Sequence, residues 1–340
     1  NDVRAYVIDR PGGPEVLRLR EVPDPTPQAG EVLIAIHAFG LNRAEVVTRR
    51  GGSGAAVQFP RIIGIECVGE VVTAPRGELA PGQRVAALMG GMGRAYDGSY
   101  AEQVVVPATQ VIPLSTRLPW AQLAALPETY LTAWGCVHEA LRATEGARVV
   151  IRPAASALGR AVVQLVAELG GEVIGVTRSA PKVPALLDAG FADVLVSADA
   201  VADQVRHRWP RGATGVIDTV TSAATVRDDL AMRAKGGRVC IAGSLWASAG
   251  AGSPGPLVAA ALALPYVSMY SSEKVSAARH TDLLQRIVAR VEEGNYRAEP
   301  STVIAFEDLA DAHAEMDANA HAGKVVVVHH PPLPQDRDVP

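Results

Sequence analysis

The segment Arg148–Ser179, RVVIRPAASALGRAVVQLVAELGGEVIGVTRS, constrains the fold more than any other stretch. Val149, Val150 and Ile151 form a short apolar run of the kind buried in a parallel sheet. Pro153 breaks the run, and small residues follow. From Leu158 the period turns helical, with Val162, Leu165, Val166 and Leu169 on one face, and Gly170-Gly171 stops the helix. Glu172–Val176 is the next strand. The pattern is a βαβ unit, whose first turn is where a dinucleotide pyrophosphate rests on a helix N-terminus.

The turn departs from the G-x-G-x-x-G fingerprint. Its three positions are Ala154, Ser156 and Gly159, and only the last glycine, which lets helix and strand pack closely, is kept. Ser156 is small enough for close phosphate approach and carries a hydroxyl that can donate to it; Ala157 and Leu158 complete the candidate cradle. The end of the second strand says more. An NAD site carries Asp or Glu there for the ribose 2′-hydroxyl, whereas this chain reads Val176-Thr177-Arg178-Ser179, with Lys182 close behind. A guanidinium in place of a carboxylate suits a 2′-phosphate, so the expected cofactor is NADPH, held by Thr177, Arg178 and Lys182.

At 340 residues the chain is long enough for two domains. A net charge of −4 gives no electrostatic reason to expect nucleic acid or an anionic membrane surface. The start, NDVRAYVIDR, lacks the apolar core of a signal peptide. The apolar stretch Leu257–Leu264 is broken by Pro265 and falls short of the ~18 residues of a membrane span. Cys67, Cys136 and Cys240 are odd in number and widely spaced, which fits a reducing cytoplasm and small buried apolar roles.

Before the βαβ unit the signals are mostly β: Ala5–Ile8, Glu31–Ala38 with Val32, Ile34 and Ile36 on one face, Ile65–Val72, Arg84–Leu88 and Tyr100–Val106. Their Pro/Gly punctuation predicts a compact β-barrel-like domain. Trp120–Ala125 and Glu128–Leu141 read as helices. After the unit, strands at Val194–Val196, Gly215–Thr219 and Arg238–Ala242 alternate with helices at Ala198–Arg206 and Ala223–Met232, which predicts a doubly wound parallel sheet. Ala247–Gly255 reads as a loop, Tyr266–Ser272 as a strand, His280–Glu293 and Glu307–Met316 as helices, Lys324–Val328 as a strand, and the tail from Pro331 as disordered.

Several segments together resemble a known family: GLNRAEVVTRRG (Gly40–Gly51), GIECVGEV (Gly64–Val71), DGSYAEQVVVP (Asp97–Pro107), LPETYLTAW (Leu126–Trp134), AASALG (Ala154–Gly159), GVIDTV (Gly215–Val220), GGRVCIAGS (Gly236–Ser244) and GKVVVV (Gly323–Val328). The chain resembles the zinc-free medium-chain dehydrogenases/reductases of the quinone oxidoreductase, zeta-crystallin-like group. The resemblance implies an α/β fold: a Rossmann doubly wound parallel sheet plus a GroES-like β-barrel domain, with the active site in the cleft between them. The expected division is 1–118 for the first part of the GroES-like domain and 119–265 for the Rossmann domain. Residues 266–330 end the sheet and return to the catalytic domain, and 331–340 form the tail. The resemblance also implies a homodimer through the strand at Tyr266–Ser272 and a cytoplasmic enzyme acting on a small molecule.

Zinc alcohol dehydrogenases resemble this chain but carry Cys, His and Glu or Cys where it has Asn42, Ile65 and Glu128, so no metal site is expected. Glu66 reads as a structural carboxylate. Without a Lewis acid, hydride transfer to a quinone or α,β-unsaturated carbonyl is easier than to a plain carbonyl, because charge moves onto an oxygen that hydrogen-bond donors stabilise. By resemblance, Asn42 lines the nicotinamide end and Thr132 bonds the carboxamide. Thr219, Val220, Gly243 and Ser244 sit at strand carboxyl ends, where such sheets present ligands. Tyr130 and Tyr96 are the candidate proton donors. Departures are Arg152-Pro153, where the family has His or Gly then Ala or Gly, Ala157 for Gly or Ser, and Val47 where some quinone reductases have tyrosine. Two alternatives stay open. One is a non-redox or non-catalytic NADPH-binding protein of the same fold; the other is an enoyl-thioester reductase with Arg43, Arg49 and Arg50 as a basic approach for carrier phosphates.

Overall fold

The structure is a computed structural model, and it describes residues 2–77, 79–197, 200–243, 255–271 and 277–329. The chain divides into two compact units. The first comprises Asn1–Pro127, Ala277–Glu292 and Arg297–Pro340; the second comprises Glu128–Ser276 and Glu293–Tyr296.

The first unit begins with an antiparallel ribbon of β1 (Asp2–Val7) and β2 (Arg18–Pro23). Its main sheet is built from β3 (Glu31–Gly40), β4 (Glu66–Thr73), β5 (Arg84–Leu88), β6 (Gln103–Pro107) and β7 (Val111–Pro113). Two helices, α1 (Arg43–Arg49) and α2 (Trp120–Ala124), belong to the same stretch. β3 is central because it pairs antiparallel with both β4 and β6. Val32, Ile34 and Ile36 point into the core as the alternation requires, and Leu33 on the opposite face is buried too.

The second unit starts with α3 (Pro127–Trp134) and then alternates strand and helix. In order come β8 (Arg148–Arg152), α4 (Ala157–Glu168), β9 (Glu172–Thr177), α5 (Val183–Asp188), β10 (Asp193–Val196), α6 (Val201–Arg208), β11 (Ala213–Asp218), α7 (Ala223–Met232), β12 (Arg233–Ile241), α8 (Pro256–Leu262) and β13 (Val267–Met269). The strands form one parallel sheet in the order β10-β9-β8-β11-β12-β13. Counted from β8 this is 3-2-1-4-5-6, the doubly wound order of dinucleotide-binding sheets, with its switch point between β8 and β11. α4 stops in a Schellman turn, where Gly170 takes φ +62° and the Gly170 and Gly171 amides donate back to Ala167 and Val166.

The chain then returns to the first unit through α9 (Ala277–Glu292), β14 (Thr302–Ala305), α10 (Leu309–Asp317) and β15 (Val325–Val328). β15 pairs antiparallel with β3 and parallel with β14, closing the sheet order β14-β15-β3-β4-β5-β7. α9 is held there by Gln285 and Glu292, which accept hydrogen bonds from the Ser115 and Arg117 amides.

Three local expectations differ from the fold. The helix read over Glu128–Leu141 is α3 followed by a π-helical turn at Gly135–Ala140. β12 starts at Arg233 rather than after Gly236-Gly237, because the register against β11 shifts between Ala213 and Gly215 and the glycine pair is absorbed in that irregularity. α5 and β2 carry too weak a period to be read from sequence. Ser244, most of the loop Ala247–Gly255, Ser272 and the tail from Pro331 lie outside the described residues.

Candidate functional site

The carboxyl edge of the parallel sheet is stitched together by strand-end hydrogen bonds. The Ala154 amide donates to Val176 O (2.8 Å), the Thr219 amide to Arg152 O (3.1 Å), and Thr221 Oγ1 to Gly243 O (3.3 Å). These bonds bring the ends of β8, β9, β11 and β12 into one rim, and with them most of the residues expected to hold a cofactor.

At the start of α4, Ser156 is the N-cap: its Oγ accepts from the Gly159 amide (3.0 Å) and donates to Pro153 O (2.9 Å). The hydroxyl therefore holds the turn together, and the amides of Ala157 and Leu158, which have no partner within a helix's first turn, are the donors left for an anion. Gly159 is required by close approach, since a Cβ there would lie 2.3 Å from Ala154 O. Thr177 is buried and its Oγ1 accepts from the Ser179 amide (3.1 Å). Arg178, the residue after β9, is exposed, and among the described residues no carboxylate pairs with it. Lys182, half-buried, closes the 3-10 turn Ala180–Lys182 that follows.

The loop after β11 is shaped by Asp218. Its Oδ1 accepts from the Val220 amide (2.7 Å) and the Thr221 amide (3.0 Å), and its Oδ2 from Thr225 Oγ1 (2.7 Å). Beneath it lies a buried cluster that the sequence pattern did not announce. Arg152 Nη2 stands 2.8 Å from Asp229 Oδ1 on α7, and both side chains are sequestered from solvent. Burial, and then the Asp218 charge, pushes the Asp229 carboxyl well above the usual carboxylate range. With three donors converging on Asp218, the raised Asp229 carboxyl favours its neutral form in this buried cluster.

On α3, Thr132 donates to Glu128 Oε1 (2.9 Å), which leaves its oxygen able to accept. The Tyr130 hydroxyl meets Gln164 Nε2 of α4 at 2.8 Å, and its ring packs on Tyr296. In that bond Tyr130 is the acceptor. In the first unit, Tyr96 donates to Gln110 Oε1 (2.5 Å), and burial raises its pKa. The Tyr96 proton is therefore committed to Gln110.

Asn42 caps α1. Its Nδ2 donates to Glu66 Oε1 (2.9 Å), its Oδ1 accepts from Lys324 Nζ (2.9 Å), and Lys324 is salt-bridged to Glu66 at 2.6 Å with both side chains buried. Its main-chain amide donates to Glu45 Oε2 (2.8 Å), completing one half of an N-x-x-E capping box. The Asn42 amide is thus oriented at both ends. Sequence reasoning gave Lys324 no role beyond its strand, although Glu45, three residues after Asn42, carries a capping-box spacing that could have been found. Of the basic trio, Arg49 is fully buried against His313 and Asp317, and Arg43 bonds Met316 O and Asn319. Arg50, 43% exposed, pairs with Asp317. The expected basic approach is largely consumed by structure.

Comparison with known proteins places this geometry. A family model described as "Alcohol dehydrogenase GroES-like domain" matches residues 28–116, and one described as "Zinc-binding dehydrogenase" matches residues 189–327. The chain is 28% identical to the quinone oxidoreductase of Rattus norvegicus over 339 residues, covering 96% of this chain and 98% of that protein. It is 29% identical over 324 residues to a component of the phenolphthiocerol/phthiocerol polyketide synthase of Mycobacterium tuberculosis, covering 94% of this chain and 14% of that much longer one. A solved structure of an NAD-dependent alcohol dehydrogenase superposes with a TM-score of 0.82 at 28% identity, over 96% of this chain and 100% of that one.

The chain is similar to the quinone oxidoreductase group of the medium-chain dehydrogenases/reductases.

Its architecture is the GroES-like and Rossmann one of that group. One matched model is named for zinc, yet two of the three positions where zinc enzymes carry ligands hold a carboxamide and an alkyl group here, Asn42 and Ile65. Glu66, next to Ile65, already has an ammonium partner in Lys324. Among the described residues no helix is long and apolar enough to cross a membrane, and no group of three His, Cys, Asp or Glu could hold a metal ion.

Proposed function

We propose that the chain is an NADPH-dependent, zinc-independent reductase that passes hydride to a conjugated carbonyl, a quinone or an enone. The carrying observation is Arg178: an exposed guanidinium beyond β9, without a carboxylate partner among the described residues, where NAD-binding sheets put an acid. Bound NADPH supplies the hydride. The cradle fits it, with Ala157 and Leu158 amides for the diphosphate, Gly159 allowing the close turn, and Arg178 with Lys182 for the 2′-phosphate. Thr219, Val220, Gly243 and Ser244 serve the ribose and nicotinamide end, and Thr132 accepts from the carboxamide.

Asn42 is the donor assigned to the substrate oxygen as charge develops on it. One N–H of this carboxamide is spent on Glu66, and the other, which meets only Gly40 O at 3.5 Å, is the one left for the substrate oxygen; the set does not suit a zinc ion. With the Tyr96 proton committed to Gln110, the proton that completes the reduction is assigned to solvent or to Tyr130, whose oxygen accepts from Gln164.

The same reading makes the protein a cytoplasmic homodimer, joined through the exposed edge of β13, where Met269 is 47% exposed. The three buried free cysteines accord with a reducing compartment. An enoyl-thioester substrate is the second reading, favoured by the match within a polyketide synthase. The test is binding and oxidation of NADPH, with NADH alongside, against a panel of quinones, enones and enoyl thioesters. NADPH binding tighter than NADH, with turnover on quinones or enones, is the expected result. Tighter NADH binding removes the cofactor assignment, and binding without turnover across the panel removes the reductase.

A further inference from the structure

Behind Asn42 lies a row of buried polar side chains whose protons are assigned by elimination. Glu45 accepts from three donors: the Ile65 amide on Oε1 (3.1 Å), and the Asn42 amide (2.8 Å) and Tyr100 hydroxyl (2.7 Å) on Oε2. Because the Tyr100 proton is spent on Glu45, the phenol oxygen must accept from His313 Nε2 at 2.7 Å. His313 therefore carries its proton on Nε2. Its Nδ1 then accepts from Arg49 Nη1 at 2.7 Å, which a guanidinium can only donate. Arg49 is held in turn by Gly12 O (3.2 Å) and Asp317 Oδ2 (2.6 Å). All four side chains are buried. Burial raises the Glu45 pKa to about 7, so above that pH the row begins at a cation and ends at a carboxylate, with every bond pointing the same way.

We propose that Arg49→His313→Tyr100→Glu45 is a one-directional hydrogen-bond relay that positions Asn42, so that these four are positioning residues for the oxygen-binding amide. The proposal rests on the reading of Asn42 given above. Such a chain polarises each member along one direction, and it delivers a fixed acceptor to the main-chain amide that starts α1. Asn42 is then anchored by Glu45 through its backbone and by Glu66 and Lys324 through its side chain. The charged and titratable groups facing Glu45 are Tyr100, Arg49, His313 and Glu66, with Lys324 beyond Glu66 and Asp317 and Arg50 beyond Arg49. Burial, reinforced by Arg49, holds the His313 imidazole neutral, with its pKa down to about 3, which agrees with the tautomer the geometry demands.

Two measurements test this. Nitrogen NMR of histidine-labelled wild-type protein is expected to show His313 neutral, protonated on Nε2 and unchanged between about pH 5 and 9; an imidazolium, or a proton on Nδ1, overturns the relay. In steady-state NADPH oxidation, Tyr100→Phe and His313→Leu are expected to lower kcat about tenfold while the KM for NADPH stays within about twofold, because a misplaced donor costs rate more than cofactor affinity. His313→Gln keeps an acceptor for Arg49 and a donor for Tyr100, and is expected to restore most of kcat. Wild-type kcat in a folded Tyr100→Phe variant, or no rescue by His313→Gln, overturns the positioning role. A wild-type protein that does not oxidise NADPH would instead overturn the reductase reading, and the NMR result would still decide the relay.

Discussion

Asp229 offers a test of the charge assignment at the switch point. Its carboxyl is held well above its ordinary value by burial and by Asp218, so the fold keeps it protonated where the unfolded chain, near the ordinary 3.8, has lost the proton. The folded state then binds one proton more than the unfolded state, and stability from this group is greatest at low pH and falls as pH rises above the unfolded value. The linkage slope is about 1.4 kcal/mol per pH unit for one proton. From pH 5 to pH 7 one proton's linkage sets a ceiling of about 3 kcal/mol on what the wild type loses on this account. Asp229→Asn copies the neutral carboxyl in shape and removes the slope. The variant is therefore expected to gain on the wild type between pH 5 and 7, within that ceiling. In a unit of this size about 1 kcal/mol shifts Tm by roughly 2–4 °C, so the gap in Tm should widen with pH, by no more than roughly 10 °C. Scanning calorimetry at pH 5, 6 and 7 measures it directly. Parallel Tm profiles for the two proteins would mean that Asp229 is ionised in the fold and pairs with Arg152 as a plain salt bridge, refuting the neutral Asp229.

Other outcomes follow from the same geometry. Arg178→Ala is expected to weaken NADPH binding by ~1.5–3 kcal/mol, the worth of a charged hydrogen bond, and to leave NADH nearly unchanged; equal losses in a calorimetric titration would dismiss Arg178 as the selector. Lys324→Met strands the buried Glu66 carboxylate beside Asn42, and a loss of about 3–5 kcal/mol in chemical denaturation is expected. Gly159→Ala places a methyl 2.3 Å from Ala154 O. It should cost about 1–3 kcal/mol of stability by overpacking and weaken cofactor affinity as the α4 N-terminus shifts.

Much of the architecture was legible in the chain itself. The apolar triplet Val149–Ile151, the helical face of Val162, Leu165 and Val166, and the stop at Gly170-Gly171 dictate strand, helix and turn through local period and backbone conformation, and the fold keeps all three. The same local physics set Ser156 and Gly159 at a helix start and Arg178 at a strand end. What local pattern cannot carry is the partner of each polar group. Ser156 is of a type that could face a phosphate, and only the folded turn spends its hydroxyl on Pro153 and Gly159. Arg49 and Arg43 look like a solvated basic loop in a string of letters. The burial of Arg49 and the bonds of Arg43 depend on α10, more than 260 residues away, bringing His313, Asp317 and Met316 beside α1. The Lys324–Glu66 bridge and the Arg152–Asp229 contact likewise join residues far apart in sequence. Hydrophobic periodicity and turn chemistry act over a few residues and so are written in the sequence. Charge compensation and proton placement depend on which side chains the completed fold seals away from water together, and that was settled only in three dimensions.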